Sequence, residues 1–306
     1  MANIRRVKNK SLGVIKTVFR KLESLNLKQY YFECAIILLK AIVRPSILYS
    51  CEAYYDLKEN ELRQIERIEE SFLRKLLKTT KGCTITQLYL EVGVYPARFE
   101  IQRLRLLYLR YILDQNEESY VKRMFHLQLE NPKRGDWAST CIKDLKELGV
   151  NKSFEEIRAM TKPQYSTLIK GKIQEKAFNY LNGKRGSKGK EIVYKNLSMT
   201  EYLLPWNRSL SNEQKLQVFA IRNRMIDLPC NFPINDDKVR CSCGEIETME
   251  HIYNSNSNSG EILFEKIYNG TITEIKEVLR KFNENIEMRK LTKQQNKSKL
   301  PCDPTM

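Results

Sequence analysis

The amino-acid sequence predicts a mainly α-helical protein with two domains. Apolar residues recur at helical spacing through the first two thirds of the chain, while the alternation typical of strands is rare, with 191–194 the best short candidate. Breaks between the periodic segments carry glycine or proline, as at Gly93 and Pro96. The 306 residues are 42% hydrophobic and 29% charged, which is enough for about two packed domains.

The N-terminal segments each show a helical pattern. A helix is predicted over 13–24, where Val14, Val18 and Leu22 share one face. The apolar segment 29–50 is expected to be a buried central helix that Pro45 kinks or breaks. The chain has no stretch of about 18 apolar residues, so no membrane span is predicted.

The helix predicted over 58–78 has the clearest amphipathic pattern. Its apolar stripe runs from Leu62 to Leu77. Its polar side is predicted to face water and carries Glu66, Arg67, Glu69 and Glu70.

Helices are also predicted through the rest of the chain, with cap residues marking two of them. Asp136 is predicted as an N-cap, and Ser211 with Gln214 resembles a capping box. The remaining helices are predicted over 84–91, 97–114, 117–129, 136–148, 153–160, 163–181, 211–226 and 271–285.

Four parts follow from this pattern. A helical domain is predicted over 1–182, and a basic, glycine-rich linker over 183–190. A smaller α-rich domain is predicted over 191–285, and a disordered tail over 286–306.

The formal net charge of +16 points to a polyanionic partner, nucleic acid first and an anionic membrane second. A solvated lysine surface is the alternative. Residues 1–21 contain no acidic residue, so they are the first candidate for phosphate contacts. The candidate residues there are Arg5, Arg6, Lys8, Lys10, Lys16, Arg20 and Lys21, and the linker adds Lys184 and Arg185.

The helix over 97–114 carries a second basic set. With 3.6 residues per turn, Arg103 and Arg110 share one face, and Arg98 and Arg105 share another. These faces either line a binding groove or form salt bridges with the glutamates of helix 58–78. Trp137 similarly either stacks on a base or fills a helix–helix contact.

A short cysteine–histidine cluster lies near the C-terminus. Cys241 and Cys243 precede His251 and supply three of the four ligands that a structural zinc site needs. Cys230 or water could complete the shell. The alternative is that the two cysteines are free thiols. The other cysteines are scattered, which predicts buried thiols in a reducing compartment, nuclear or cytoplasmic.

Several segments together resemble the C-terminal part of non-LTR (LINE-type) retrotransposon reverse transcriptases. They occur in that family's order over most of residues 10–255. The segments are 44–53, which resembles the helix just after the palm; 62–77; the Leu-Gly-x-x-Pro-like turn within 88–99; the arginine-rich helix 103–110; and 216–225, which leads into a knuckle at 241–256.

The resemblance implies a helical thumb-like bundle followed by a degenerate Cys/Cys/His/Cys knuckle, with Asn256 where the family has its last ligand. It implies binding of RNA or DNA, and a grip on the RNA–DNA duplex in target-primed reverse transcription. The only adjacent aspartates, Asp236 and Asp237, lack the aromatic residue that the family's polymerase motif requires.

The expected protein is therefore not an enzyme by itself, and its presumed parent is an RNA-directed DNA polymerase whose palm is encoded upstream. A helical interaction scaffold, or an inert retroelement relic, is the rival hypothesis.

Overall fold

The computed structural model describes residues 2–27, 30–54, 57–79, 83–133, 135–184, 209–223, 266–267 and 271–298. These residues are mainly helical, and no strand occurs among them, which confirms that the fold is mainly α-helical. None of the helices in these ranges is both long enough and apolar enough to cross a bilayer.

The helices follow the chain in this order: α1 Ala2–Ser24, α2 Tyr31–Leu38, α3 Arg44–Ile47, α4 Glu59–Leu76, α5 Ile85–Val92, α6 Ala97–Leu113, α7 Tyr120–Glu130, α8 Trp137–Glu147, α9 Phe154–Ala159, α10 Lys162–Gly183, α11 Asn212–Arg222 and α12 Ile272–Ser298. A π-helical turn, Leu39–Val43, joins α2 to α3, and a short 3₁₀ turn, Cys51–Ala53, follows α3.

Side-chain caps place several helix starts where the sequence predicts them. The Asp136 carboxylate accepts a hydrogen bond from the Ser139 amide at 2.6 Å and caps α8. Ser211 and Gln214 form the predicted capping box at the start of α11. The same device begins α5, α9 and α10. At the end of α5, Gly93 adopts a φ of 67°, a conformation that glycine reaches without strain.

The sequence predicts that Pro45 kinks or breaks the segment 29–50, but helical turns continue from Tyr31 through Ile47 and only change to a π-helical turn before the proline. Proline has no amide hydrogen, and its ring crowds the carbonyl one turn earlier. The π-helical turn Leu39–Val43 lies in that preceding turn and accommodates the proline.

Two helices extend beyond their predicted ends. Helix α1 begins at Ala2 rather than 13, and α12 continues through Ser298, into the predicted disordered tail. Both extensions lack proline, and Lys, Arg, Glu and Gln within them are good helix formers.

The chain divides into two compact units. The first holds 1–27, 31–80 and 84–205, and the second holds 206–306 with two short segments at 28–30 and 81–83. The linker and boundary predicted at 183–190 fall mostly outside the described residues and stay a prediction.

Each unit has its own core. In the first unit, α1 packs on α4, and the Phe19 and Phe72 ring centroids lie 4.8 Å apart. Helices α6 to α10 enclose another apolar cluster, which includes Leu106, Leu109 and Ile169. In the second unit, α11 packs against α12 around apolar residues that include Ile221, Val278 and Phe282.

The prediction that the polar side of α4 faces water was partly wrong. Glu69 is fully buried and Glu66 nearly so, whereas Arg67 is exposed. Glu69 is buried because Arg44 of α3 lies beside it, with its Nε 2.6 Å from Glu69 Oε1. The Tyr89 hydroxyl donates to the other carboxylate oxygen at 2.9 Å.

Arg44 and Glu69 together connect α3, α4, α5 and the residue before α6. Arg44 also donates to the Tyr95 carbonyl, just before α6, and its guanidinium lies 5.1 Å from the centre of the Tyr95 ring. Burial alone would lower the pKa of Arg44, but the Glu69 carboxylate outweighs burial and raises it. The pair is therefore compensated, and removing one partner would leave a buried charge alone.

Replacing Glu69 with alanine is expected to lower the free energy of unfolding by about 3–5 kcal/mol, because Arg44 would keep its buried charge without a counter-charge. Urea unfolding followed by circular dichroism measures the loss. Glu175→Ala is the control, since it removes an exposed pair with Lys172 and is expected to cost about 0.5 kcal/mol or less. Equal losses for the two variants would contradict the role given to Glu69.

Candidate nucleic-acid interface

Helix α1 presents a basic side opposite its core-facing side. Ser11, Ile15, Val18, Phe19 and Leu22 are buried. The exposed basic residues are Lys10, Lys16, Arg20 and Lys21. With 3.6 residues per turn, they spread over the surface opposite the buried stripe. This set is called the α1 basic face below.

The α1 basic face has no acidic neighbour within its own helix until Glu23. Among the residues that the structure describes, none of its four cations forms an ion pair with a carboxylate. Arg5, Arg6 and Lys8 belong to the same helix, but their side chains lie outside the described part of the chain. Within the described part of the chain, no carboxylate neutralises the charges of the α1 basic face.

Unlike the cations of the α1 basic face, the arginines of α6 are paired within the protein. Arg98 is the first of them. Its guanidinium hydrogen-bonds both oxygens of Glu66, at 2.5 and 2.9 Å, and also reaches Glu59. The hydrogen bonds that Arg98 donates to Glu66 raise the pKa of Arg98, although its partial burial opposes this. Arg98 also lies 5.3 Å from the centre of the Tyr180 ring.

Arg103 pairs within its own helix. Its Nη2 and Nε donate to the two oxygens of Glu100 at 2.6 and 3.0 Å. The Tyr95 hydroxyl donates to the same carboxylate at 2.7 Å. This half-buried group is neutral overall.

Arg105 and Arg110 are buried. Arg105 Nη1 lies 2.6 Å from Asp144 of α8, and its Nε donates to the Tyr54 carbonyl at 2.9 Å. Arg110 donates to the carbonyls of Arg158 and Met160 and lies 3.2 Å from Asp114. Neither side chain is exposed to a large external ligand.

A cleft of about 330 Å³ lies between α6, α8 and α10 in the first unit. Its polar groups bind one another: Gln102 donates to Asp144 at 2.9 Å, and Lys176 pairs with Glu147 at 2.5 Å. Burial raises the pKa of Asp144, although the neighbouring Arg105 opposes this. The cleft therefore belongs to the internal ion-pair network of α6.

These contacts bear on the choice that the sequence left open for the arginines of 98–110. Arg98 forms the salt bridge considered for Glu66, whereas Glu69 binds Arg44 instead. The structure does not bring the α6 arginines together as an exposed basic surface. Glu100 and Asp114 lie three and four residues from Arg103 and Arg110, so these two pairs are local in the sequence. The pair of Arg105 with Asp144 depends instead on the packing of α8 against α6.

Trp137 fills a helix–helix contact. Its indole Nε1 donates to the Glu52 carbonyl at 2.8 Å, and its ring packs edge-on against Tyr108 and Phe125. Only 8% of the residue is exposed, so it offers no face to a base.

The remaining predicted site residues fall at the edge of the described chain or outside it. Lys184 is exposed, and its ammonium lies 4.1 Å from the centre of the Tyr180 ring. Arg185, Cys230, Cys241, Cys243, His251 and the rest of the predicted knuckle lie outside the described residues. Within the described ranges, no group of three metal-binding side chains occurs.

The scattered cysteines that the structure describes form no disulfide. Cys51, Cys83 and Cys141 are buried, and Cys34 is partly so. Burial raises the pKa of the Cys51 thiol to about 12, so this group stays protonated near neutral pH.

Sequence reasoning missed one basic residue near the α1 basic face. Lys75 of α4 is exposed, and its ammonium lies 4.6 Å from the centre of the Phe19 ring. The sequence gives no signal for this position, because it depends on the packing of Phe72 on Phe19, a contact between two helices.

Comparison with protein-family models, with curated proteins and with solved structures finds no significant match to this chain.

Glu100→Gln is expected to make the protein less stable near neutral pH and to bring its stability closer to wild type in acid. Burial raises the pKa of Glu100, but hydrogen bonds from Arg103 and Tyr95 outweigh burial and hold it below its usual value of 4.5. A carboxylate whose folded pKa is depressed contributes stability above its unfolded pKa, and loses it as the pH falls through the folded pKa.

Urea unfolding of both proteins at about pH 7 and about pH 3 measures this effect. Glu175→Gln, at an exposed pair, serves as the control with little expected change at either pH. A difference between wild type and Glu100→Gln that stays the same at both pH values would contradict the ion pair with Arg103.

Proposed function

We propose that this protein binds nucleic acid through the α1 basic face, as the non-catalytic C-terminal part of a non-LTR retrotransposon reverse transcriptase. The observation that carries the proposal is the set of exposed cations on α1 without carboxylate partners among the described residues. Cations that are not paired internally can replace the counterions of a phosphate backbone.

The spacing along α1 suits a backbone ligand. Lys10 and Lys21 lie on the same side about three turns apart, or about 17 Å at 1.5 Å per residue. Lys16 and Arg20 lie between them along the helix axis, one turn from each other, but about 100° around the helix. Cations spread over this length and width can contact several phosphates, which positions a duplex without reading its bases.

The family resemblance supplies the partner and the setting of the proposal. The expected partner is an RNA–DNA duplex, held while a polymerase palm encoded upstream performs target-primed reverse transcription. The expected setting is a reducing compartment, the nucleus or the cytoplasm. Zinc at Cys241, Cys243 and His251 remains part of the hypothesis and is not needed for binding by α1.

The rival function, a helical interaction scaffold, also has support. The arginines of α6 pair within the protein, as a scaffold would use them. In addition, Tyr120, Met124 and Leu127 share one side of α7 and are exposed, with Tyr120 exposed to 77%. We favour binding because a scaffold gives no reason for the unpaired cations of α1.

Wild-type protein is expected to bind a fluorescently labelled RNA–DNA hybrid with an affinity that falls steeply as salt increases. Replacing Lys10, Lys16, Arg20 and Lys21 with glutamine should make the slope of log K against log salt less negative, by up to about 0.9 for each phosphate that the variant no longer neutralises. Fluorescence anisotropy across a salt series measures both slopes.

The matched control replaces four exposed lysines outside α1, which are Lys133, Lys146, Lys152 and Lys170, and removes the same net charge. If the slope changes equally in both quadruple variants, only net charge matters and the interface is not α1. A zinc chelator is expected to leave binding unchanged. Loss of binding on chelation would indicate that the interface lies at the knuckle.

The chain alone is also expected to lack polymerase activity, because its adjacent aspartates do not match the metal-binding motif of the family. Primer extension on a primed template with Mg²⁺ tests this, with an active polymerase as the positive control. Extension of the primer by purified protein would overturn the non-catalytic part of the proposal.

A further inference from the structure

We propose that Lys75 of α4 is a phosphate-binding residue that extends the nucleic-acid interface from α1 onto a second helix. The inference rests on the proposed function and deepens it, since nothing in the sequence pattern had placed α4 in the interface. Its basis is the position of the Lys75 ammonium, 4.6 Å from the centre of the Phe19 ring in α1.

The contact fixes where the charge of Lys75 lies. Phe19 is fully buried, and its ring packs against Phe72 one turn before Lys75 on α4. A cation over an aromatic face is attracted by the electrons of the ring, and the methylene stem of lysine packs on apolar surface. The ammonium is therefore held at the junction of α1 and α4 while the residue remains exposed.

This junction adjoins basic positions of α1. Lys16 precedes Phe19 by about one turn, and Arg20 follows it directly along the chain. Glu23 lies about one turn after Phe19, and no ion pair joins it to Lys75 in the described part of the chain.

Helices α1 and α4 themselves offer no exposed aromatic ring for base stacking. Phe19 and Phe72 are the aromatic residues of α1 and α4, and both are fully buried. Single-stranded nucleic acid gains affinity from exposed aromatic platforms, which these two helices do not offer. The interface is therefore expected to recognise phosphates, and two helices rather than one fix the orientation of the duplex.

A purely structural role for Lys75 makes a different prediction. If the residue only covers the Phe19 ring, its stem matters and its charge does not. Lys75→Met keeps an unbranched apolar stem and removes the charge, whereas Lys75→Arg keeps the charge. Lys146→Met, at an exposed position on α8, is the control for removal of one charge elsewhere.

The experiment measures binding of a labelled RNA–DNA hybrid across a salt series for these variants, with thermal unfolding as a check of folding. Lys75→Met is expected to make the slope of log K against log salt less negative by about 0.9, the value for one neutralised phosphate. Lys75→Arg should keep the wild-type slope, and Lys146→Met should leave it unchanged.

The outcomes separate the two proposals. An unchanged slope for Lys75→Met, in a wild type that binds, overturns the role of Lys75 and leaves binding by α1 intact. A change equal to that of Lys146→Met also overturns it, because the position would then not matter. Absence of wild-type binding even at low salt overturns the proposed function together with this inference.

Discussion

The buried ion pair between Arg44 and Glu69 is the constraint on which the first unit depends. It connects α3 to α4 directly, and through the Tyr89 hydroxyl and the Tyr95 carbonyl it also fixes α5 and the start of α6. Because breaking such a pair strands a buried charge, these elements must be correctly placed together. The π-helical turn Leu39–Val43 comes directly before Arg44, so it helps to set where the guanidinium lies.

Like Arg44, the arginines of α6 are paired with carboxylates inside the protein. The basic residues therefore fall into two kinds, those paired internally and those on the α1 basic face. Arg98 and Arg105 are held by carboxylates of other helices, so they orient α4 and α8 around α6. Their charge is already neutralised locally and attracts an external anion only weakly. Helix α1 has the opposite character, since its exposed cations meet no carboxylate among the described residues. The ion pairs of α6 thus add little to the net charge of +16, which already counts both signs.

The sequence predicted the helices well because their signals are local. Apolar spacing located α4 and α6, and the caps at Asp136 and Ser211 fixed where α8 and α11 begin. It failed where a distant residue decides the outcome. Glu69 looks like a solvent-facing residue until Arg44, 25 residues earlier, is placed beside it. Lys75 shows no special feature until α1 packs against α4, so a contact between two helices had to be seen before its role could be inferred.

Binding and scaffold functions place different demands on the same fold, and the fold offers a different surface for each. A duplex grip needs cations that are not paired internally. The α1 basic face has four cations that pair with no carboxylate among the described residues, on a helix whose inner side is anchored by the buried Phe19. A scaffold needs exposed apolar area, which α7 has around Tyr120 and Leu127. Counterion release depends only on the first kind of surface. The salt dependence of the proposed binding therefore tests α1 separately from any contact that α7 makes.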